Sequence, residues 1–252
     1  MSHFVFKVGQ TPTLDLRVFA GRLDLVPSTD GSLTIDILGS GTDYIVVEQS
    51  GDVITLREER HLFGGRTVSI RAAVPAGTNL EAAVASLDVL SRVELGRVSG
   101  RTASGDFDLG RVGSLEIRTA SGDVKVDACV GRCELSSASG DLALHTAEGD
   151  VVVTSASGDV SVERVSGRLE TKTTSGDISV RCCAGQQIEA TSLSGDISLG
   201  IPEGTRVEAE IDSLSGDVNL PPRRPPAGDS TKQMRLRAKT VSGDIDVRRV
   251  NA

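Results

Sequence analysis

Flat aromatic surface is almost missing from this chain: it has no tryptophan, one tyrosine (Tyr44) and five phenylalanines in 252 residues. Single-stranded nucleic acid needs stacking platforms, and carbohydrate sites take much of their contact area from aromatic rings. The scarcity argues against both. Positive charge is not in excess either. The formal net charge is -8, which does not favour phosphate backbones or anionic lipid as partners. No run approaches the ~18 apolar residues of a membrane span. The opening stretch MSHFVFKVGQT lacks the basic start, apolar core and small-residue cleavage site of a secretory signal. A cytoplasmic protein is expected, with envelope association only through a partner.

Reactive side chains are few. The histidines are His3, His61 and His145, and the cysteines are Cys129, Cys133, Cys182 and Cys183. There is no Cys-x-x-Cys, and no histidine stands at ligand spacing from a cysteine. Cys129 and Cys183 occupy equivalent repeat positions, roughly 14 Å apart at ~4.8 Å per strand. That is too far for a disulfide, so four reduced thiols are expected. No cofactor and no catalytic residue is assigned.

What the chain does have is glycine, 28 residues of it, arranged in a repeat. Ser-Gly-Asp begins at Ser104, Ser121, Ser139, Ser157, Ser175, Ser194, Ser215 and Ser242, in steps of 17, 18, 18, 18, 19, 21 and 27. A turn recurring at near-constant spacing, with a short strand after it, predicts a stacked β-coil. Two and four residues after each glycine run uninterrupted apolar columns, from Phe107 and Leu109 through Val160 and Val162 to Ile245 and Val247. Polar residues separate them, the period-two alternation of a strand with one buried face. A second half-unit supplies the opposing wall, with Leu115, Cys133, Val151 and Leu169, then Ile188 and Val207 after a one-residue insertion. The fold class expected is all-β: a β-solenoid (single-stranded parallel β-helix or β-roll) of ~18 residues per coil, with two opposed parallel sheets.

Two polar columns accompany the turns. Hydroxyls precede each Ser-Gly-Asp at Thr102, Thr119, Ser137, Ser155, Thr173, Ser192, Ser213 and Thr240. Their parity points them inward, toward backbone groups at the corner. The aspartates are Asp106, Asp123, Asp141, Asp159, Asp177, Asp196, Asp217 and Asp244. Stacked ~4.8 Å apart, they repel by roughly 1 kcal/mol per neighbour even in water. Either turn N–H groups hold them ionised or a weakly bound divalent cation runs along the ladder. A calcium β-roll would need acids at both corners. Here the second corner has only Asp150, thin provision for a cation wanting six to eight oxygens.

Residues 1–85 read as an N-terminal β-strand region capping the solenoid, and 86–252 as the repeat domain. Ala20-Gly21 reads as a tight turn between strands, and Ser86-Leu87-Asp88 as a degenerate first coil. A Pro/Arg-rich loop at 221–232 (PPRRPPAGDSTK) lengthens the last step, as a solvent loop or a docking site for an acidic partner. Arg235, Arg237, Lys239, Arg248 and Arg249 are expected on the terminal coil, where charge discourages end-to-end stacking.

The stretches Thr102–Leu109 (TASGDFDL), Thr119–Val126 (TASGDVKV), Ser137–Leu144, Ser155–Val162 and Thr173–Val180, with Pro75–Leu80 (PAGTNL) before them, carry a resemblance. The chain resembles the bacterial putative-adhesin family of β-strand-repeat proteins of unknown function, over most of its length. The resemblance implies the solenoid and no catalytic residues; some of these relatives are membrane-anchored or linked to envelope stress. Three functions follow as expectations. The first is a noncatalytic structural or interaction scaffold, with an unknown protein partner or self-association. The second is a polysaccharide-active β-helix enzyme using Asp141, His145 and Glu163 on one face. The third is a calcium-binding β-roll.

Overall fold

The computed structural model describes residues 2–39, 42–59, 68–221 and 232–251. The fold is an all-β solenoid, and the described residues contain no α-helix. The chain divides into two compact units, Met1–Asp127 and Ala128–Ala252.

The first unit holds β1 (Ser2–Phe6), β2 (Thr13–Arg17), β3 (Ala20–Pro27), β4 (Leu33–Gly39), β5 (Ile45–Ser50) and β6 (Val53–Glu58). After these come β7 (Val68–Val74), β8 (Thr78–Ala83), β9 (Ser86–Ser91), β10 (Leu95–Thr102) and the 13-residue β11 (Phe107–Thr119). Two stacks form. In one, β6, β2, β8, β10 and the later part of β11 pair in parallel, and β5 joins β6 antiparallel. In the other, β7, β3, β9 and the start of β11 pair in parallel, and β4 and β1 add antiparallel strands beyond β7. Coil geometry therefore begins well ahead of residue 86. The coil of β2 and β3 does not lie at the edge, although it comes early in the chain: it sits between the β6–β7 and β8–β9 coils. Alternate residues of both stacks, such as Leu14, Leu16, Leu56, Leu23, Leu25 and Ile70, are wholly buried. Ala20 and Gly21 belong to β3 rather than to a turn; the corner falls at Val18–Phe19. Gly21 is required because a Cβ there would overlap the Val68 carbonyl oxygen.

β12 (Val124–Cys129) precedes the strands of the second unit. One stack contains β13 (Cys133–Ser137), β15 (Val151–Ser157), β17 (Leu169–Ser175) and β19 (Gln187–Ser194), all parallel. The other contains β14 (Leu142–Ala147), β16 (Val160–Val165), β18 (Ile178–Cys183) and β20 (Ile197–Pro202), also parallel. The register follows the expected columns: Cys133 faces Val151, which faces Leu169, and Leu142 faces Val160, which faces Ile178. Each coil contributes one strand to each stack, and the inward Val, Leu and Ile side chains are buried. At ~1.5–3 kcal/mol for each such side chain fully buried, this face supplies the stacking energy.

The last coils depart from chain order. β21 (Arg206–Ser215) and β22 (Val218–Asn219) come before β23 (Gln233–Ser242) and β24 (Ile245–Val250) in the chain. Yet β23 pairs with β19 and β21, and β24 with β20 and β22. The final residues thus fill the penultimate coil, and β21–β22 is the outer one. This corrects two expectations. Arg235, Arg237, Lys239, Arg248 and Arg249 do not lie on a terminal coil. Val218 and Leu220, placed in the buried columns by spacing, are about half exposed because no described coil covers them. The register is corrected too: Ala209, not Val207, stands level with Leu236 and hence with Ile188. The return connection falls within the proline-rich loop, of which residues 222–231 lie outside the described residues.

Candidate functional site

The aspartate column is the most regular chemical feature, and its geometry is a hydrogen-bond ladder between coils. In the first unit, the Asp106 N–H donates to Asp88 Oδ1 at 3.1 Å and the Asp123 N–H to Asp106 Oδ1 at 2.9 Å. Asp88 thus behaves as a member of the column, although its β8–β9 coil is not the first: the β2–β3 coil stacks ahead of it. In the second unit, Asp159 donates to Asp141, and Asp177 to Asp159, both at 2.9 Å. Asp196 donates to Asp177, Asp244 to Asp196 and Asp217 to Asp244, each at 2.8 Å. The ladder follows spatial order, so Asp217 is outermost. One oxygen each of Asp88, Asp106, Asp141, Asp159, Asp177, Asp196 and Asp244 is thereby committed to the amide of a neighbouring coil. The opposite corner uses the same device where it can: Asp150 Oδ1 accepts the Arg168 N–H at 3.0 Å, and Asn79 Oδ1 the Arg97 N–H at 2.8 Å.

The hydroxyl column points inward as its parity requires, but its bonding changes along the chain. Thr102 Oγ1, Thr119 Oγ1 and Ser137 Oγ accept the N–H of Gly105, Gly122 and Gly140 at 2.7–2.8 Å. From the next coil the glycine turns over. Gly158 has φ 149°, and its N–H donates instead to the Ser175 carbonyl at 3.2 Å. Gly176 and Gly195 repeat this, donating to Ser194 and Ser242. The hydroxyls of Ser155, Thr173 and Ser192 are left buried with no hydrogen-bond partner among the described residues.

Of the residues considered for catalysis, the structure joins two. His145 Nδ1 lies 3.1 Å from Glu163 Oε2, and Arg181 Nη1 lies 3.5 Å from the same oxygen. All three are exposed on one outward row. Asp141 sits at the corner with its Oδ1 taken by the Asp159 amide. His61 lies outside the described residues. Among the described residues, no group of three or more His, Cys, Asp and Glu side chains is placed to hold a metal ion. No helix among them is long and apolar enough to cross a membrane.

All four cysteines are buried free thiols. The Cys129 thiol donates to the Gly131 and Arg132 carbonyls of its own turn, at 3.6 and 3.8 Å. Interaction with the neighbouring Cys133 thiol lowers the Cys129 pKa, while that interaction and burial raise that of Cys133. Burial pushes the Cys183 thiol up to about 12.

Spacing alone missed the acidic edge of β21. Glu208, Glu210 and Asp212 point outward and meet Arg235, Arg237 and Lys239 of β23. The signal was present: RVEAEID and QMRLRAK carry opposite charge at alternate positions. It pairs the two strands directly once chain order is not taken for spatial order.

Comparison with solved structures finds the same architecture in two putative adhesins. A putative adhesin from Parabacteroides distasonis superimposes with TM-score 0.54 at 13% identity, covering 99% of this chain and 96% of that one. A putative adhesin from Parabacteroides merdae gives 0.50 at 12% identity, covering 99% and 95%. A putative lipid binding protein from Parabacteroides distasonis gives 0.49 at 15% identity, covering 99% and 96%. No curated protein matches the chain. Residues 20–248, nearly the whole solenoid, match the Toastrack DUF4097 model, and the chain belongs to that family.

Proposed function

We propose that this protein is a noncatalytic scaffold, an adhesin-like solenoid whose regular surface binds another protein. The observation that carries the reading is the aspartate ladder: the repeat's most abundant reactive group is spent on coil-to-coil hydrogen bonds. Its outward rows are likewise engaged in ion pairs between adjacent coils, such as Arg181 with Glu163 and Arg237 with Glu189. A rigid frame of this kind presents side chains at fixed strand spacing, which suits a docking platform. In the cytoplasm it would reach envelope components through its partner. Cross-linking and co-purification from the native cell should recover a discrete protein partner. Turnover in a screen of glycans and uronates, abolished by Asp141→Ala, would overturn the reading in favour of a polysaccharide-active enzyme.

A further inference from the structure

The outer coil of the second unit ends the sheet on an open strand. β21 pairs with β23 on one side, and among the described residues no strand pairs with its other side. Arg206 donates its N–H to the Lys232 carbonyl, toward β23. In a parallel ladder, successive residues turn their N–H and C=O to opposite neighbours. Glu208, Glu210 and Asp212 therefore follow Arg206, while Val207, Ala209, Ile211 and Ser213 turn theirs to the open side. Apolar groups flank that side. Leu214 is 83% exposed and Leu220 52%. Leu193 and Val241 stand at the same corner position in the two coils beneath Leu214 and are also exposed. Asp217 carries the last carboxylate of the ladder, beyond which no described coil supplies an amide. An open edge of this kind is a template for strand addition.

Charge decides what adds. Across the last three strands, β19, β23 and β21, an outward row alternates in sign, although Glu170 stands level with Glu189 one coil further in. Arg237 lies 3.8 Å from Glu189 on one side and 3.5 Å from Glu210 on the other. Lys239 lies 2.9 Å from both Glu210 and Asp212. The outermost row, Glu208, Glu210 and Asp212, is acidic, so a basic strand complements it where an acidic one is repelled. A second β21 is a poor occupant: antiparallel self-pairing with inward residues opposed would set Glu208, Glu210 and Asp212 against their own copies, and like charges directly opposite are destabilising.

We propose that the open edge of β21 accepts a strand from a partner protein, an extended segment in which basic residues alternate with apolar ones. This rests on the interaction-scaffold reading and names the chemistry of the partner. Residues 233–242 already display that chemistry on the other side of β21, so the peptide QMRLRAKTVS is a direct probe. Labelled and titrated into the full-length protein, it should bind saturably and weaken at high salt. Its counterpart with glutamate at the three basic positions should bind at least about tenfold more weakly, since like charges oppose across strands. Amide exchange in the wild-type protein should slow at Val207, Ala209, Ile211 and Ser213 on peptide addition, and stay unchanged at Glu208 and Glu210. Ala209→Pro removes an N–H on the open side and none that bonds β23, a position where an edge strand tolerates proline. It should melt as the wild type does and lose the peptide. Equal binding of the acidic peptide, protection without the alternation, or a folded Ala209→Pro protein that binds unchanged would each overturn the edge site. So would self-association that Ala209→Pro abolishes, which would make a second copy the occupant. A co-purified partner retained by Ala209→Pro would remove the edge and leave the scaffold reading standing.

Discussion

Asp159 shows which of two opposed effects wins in the corner column. Its carboxylate stands one strand spacing from those of Asp141 and Asp177, where repulsion is roughly 1 kcal/mol per neighbour in water. Against this, a hydrogen bond to a charged group contributes about 1.5–3 kcal/mol, and Asp159 Oδ1 accepts one from the Asp177 amide at 2.9 Å. Each neighbouring pair carries one such repulsion and one such bond, so the bond outweighs it and the stacked aspartates are tolerated. Asp159→Ala should lower the melting temperature by several degrees, because it strips the acceptor from that amide. Asp159→Asn should melt close to the wild type, since it keeps a carbonyl oxygen and relieves the repulsion. Equal losses for the two substitutions would mean that the oxygen is not the operative group. The buried thiols make a second residue-scale prediction. Burial pushes the Cys183 thiol up to about 12 in the folded chain, against ~8.5 when unfolded. Because its folded value is raised, the unfolded state deprotonates first. Its contribution is whole below ~8.5 and is lost as pH rises toward the folded value. Cys183 stands level with Val165, so Cys183→Val should keep the fold and flatten the alkaline limb of the melting-temperature profile. An unchanged limb would place the alkaline loss elsewhere.

At the scale of the element, the same pentapeptide makes two turns. Ser137-Ala-Ser-Gly-Asp141 bonds its glycine amide to its own first hydroxyl, and Ser155-Ala-Ser-Gly-Asp159 bonds its glycine amide to the next coil. Local sequence is identical, so the neighbouring coil selects the conformation. Gly158 is bound to the second form by φ 149° and by the Gly140 carbonyl oxygen, which an added Cβ would approach to 2.5 Å. Gly158→Ala should therefore destabilise by more than the ~1 kcal/mol of an ordinary glycine-to-alanine effect, and a chemical denaturation midpoint will measure it. A midpoint equal to the wild type would mean that the coils can part at this corner without loss. The strands and their buried faces were legible in the sequence because strand parity and an 18-residue step determine which side chains share a column. Val160 falls between Leu142 and Ile178 as spacing requires. The two turn forms were not legible, since they depend on contacts between coils that no single repeat encodes. The aspartate ladder was half legible: stacking implied that something offsets the repulsion, while the amide of the neighbouring coil as the carboxylate's partner shows only in the fold.

At the scale of the molecule, chain order and spatial order part company in each unit. The β2–β3 coil lies between later coils of the first unit, and the β23–β24 coil lies inside β21–β22 in the second. Repeat spacing could not reveal this, because each coil presents the same inward pattern to either neighbour; only the complementary charges of β21 and β23 marked the exchange. The corners carry a prediction about ions. Calcium wants six to eight oxygens, and the Ser-Gly-Asp corner offers one carboxylate per coil, with an oxygen of Asp141, Asp159, Asp177, Asp196 and Asp244 already bonded to an amide. Calorimetry should find no tight calcium site, and a chelator should leave the melt unchanged. Submicromolar binding at several sites, with unfolding on chelation, would make the chain a calcium β-roll. The exchanged order carries the other. Stability in a stacked coil is a sum over neighbours, and an outer coil has a neighbour on one side only. The inward positions of β21 show the consequence: Val207 and Ile211 are half-buried and Ala209 is exposed, whereas Met234, Leu236 and Ala238 of β23 are buried. Local opening follows buried contact rather than position in the chain. Native-state hydrogen exchange should therefore find the amides of β21 and β22 exchanging fastest in the second unit. Those of β23 and β24 should be protected nearly as well as β19 and β20, although they come last in sequence. Fraying that begins instead at β24 and spreads back through β23 would show that the final residues are the outer coil in solution, and the exchanged order of the last two coils would fall with it.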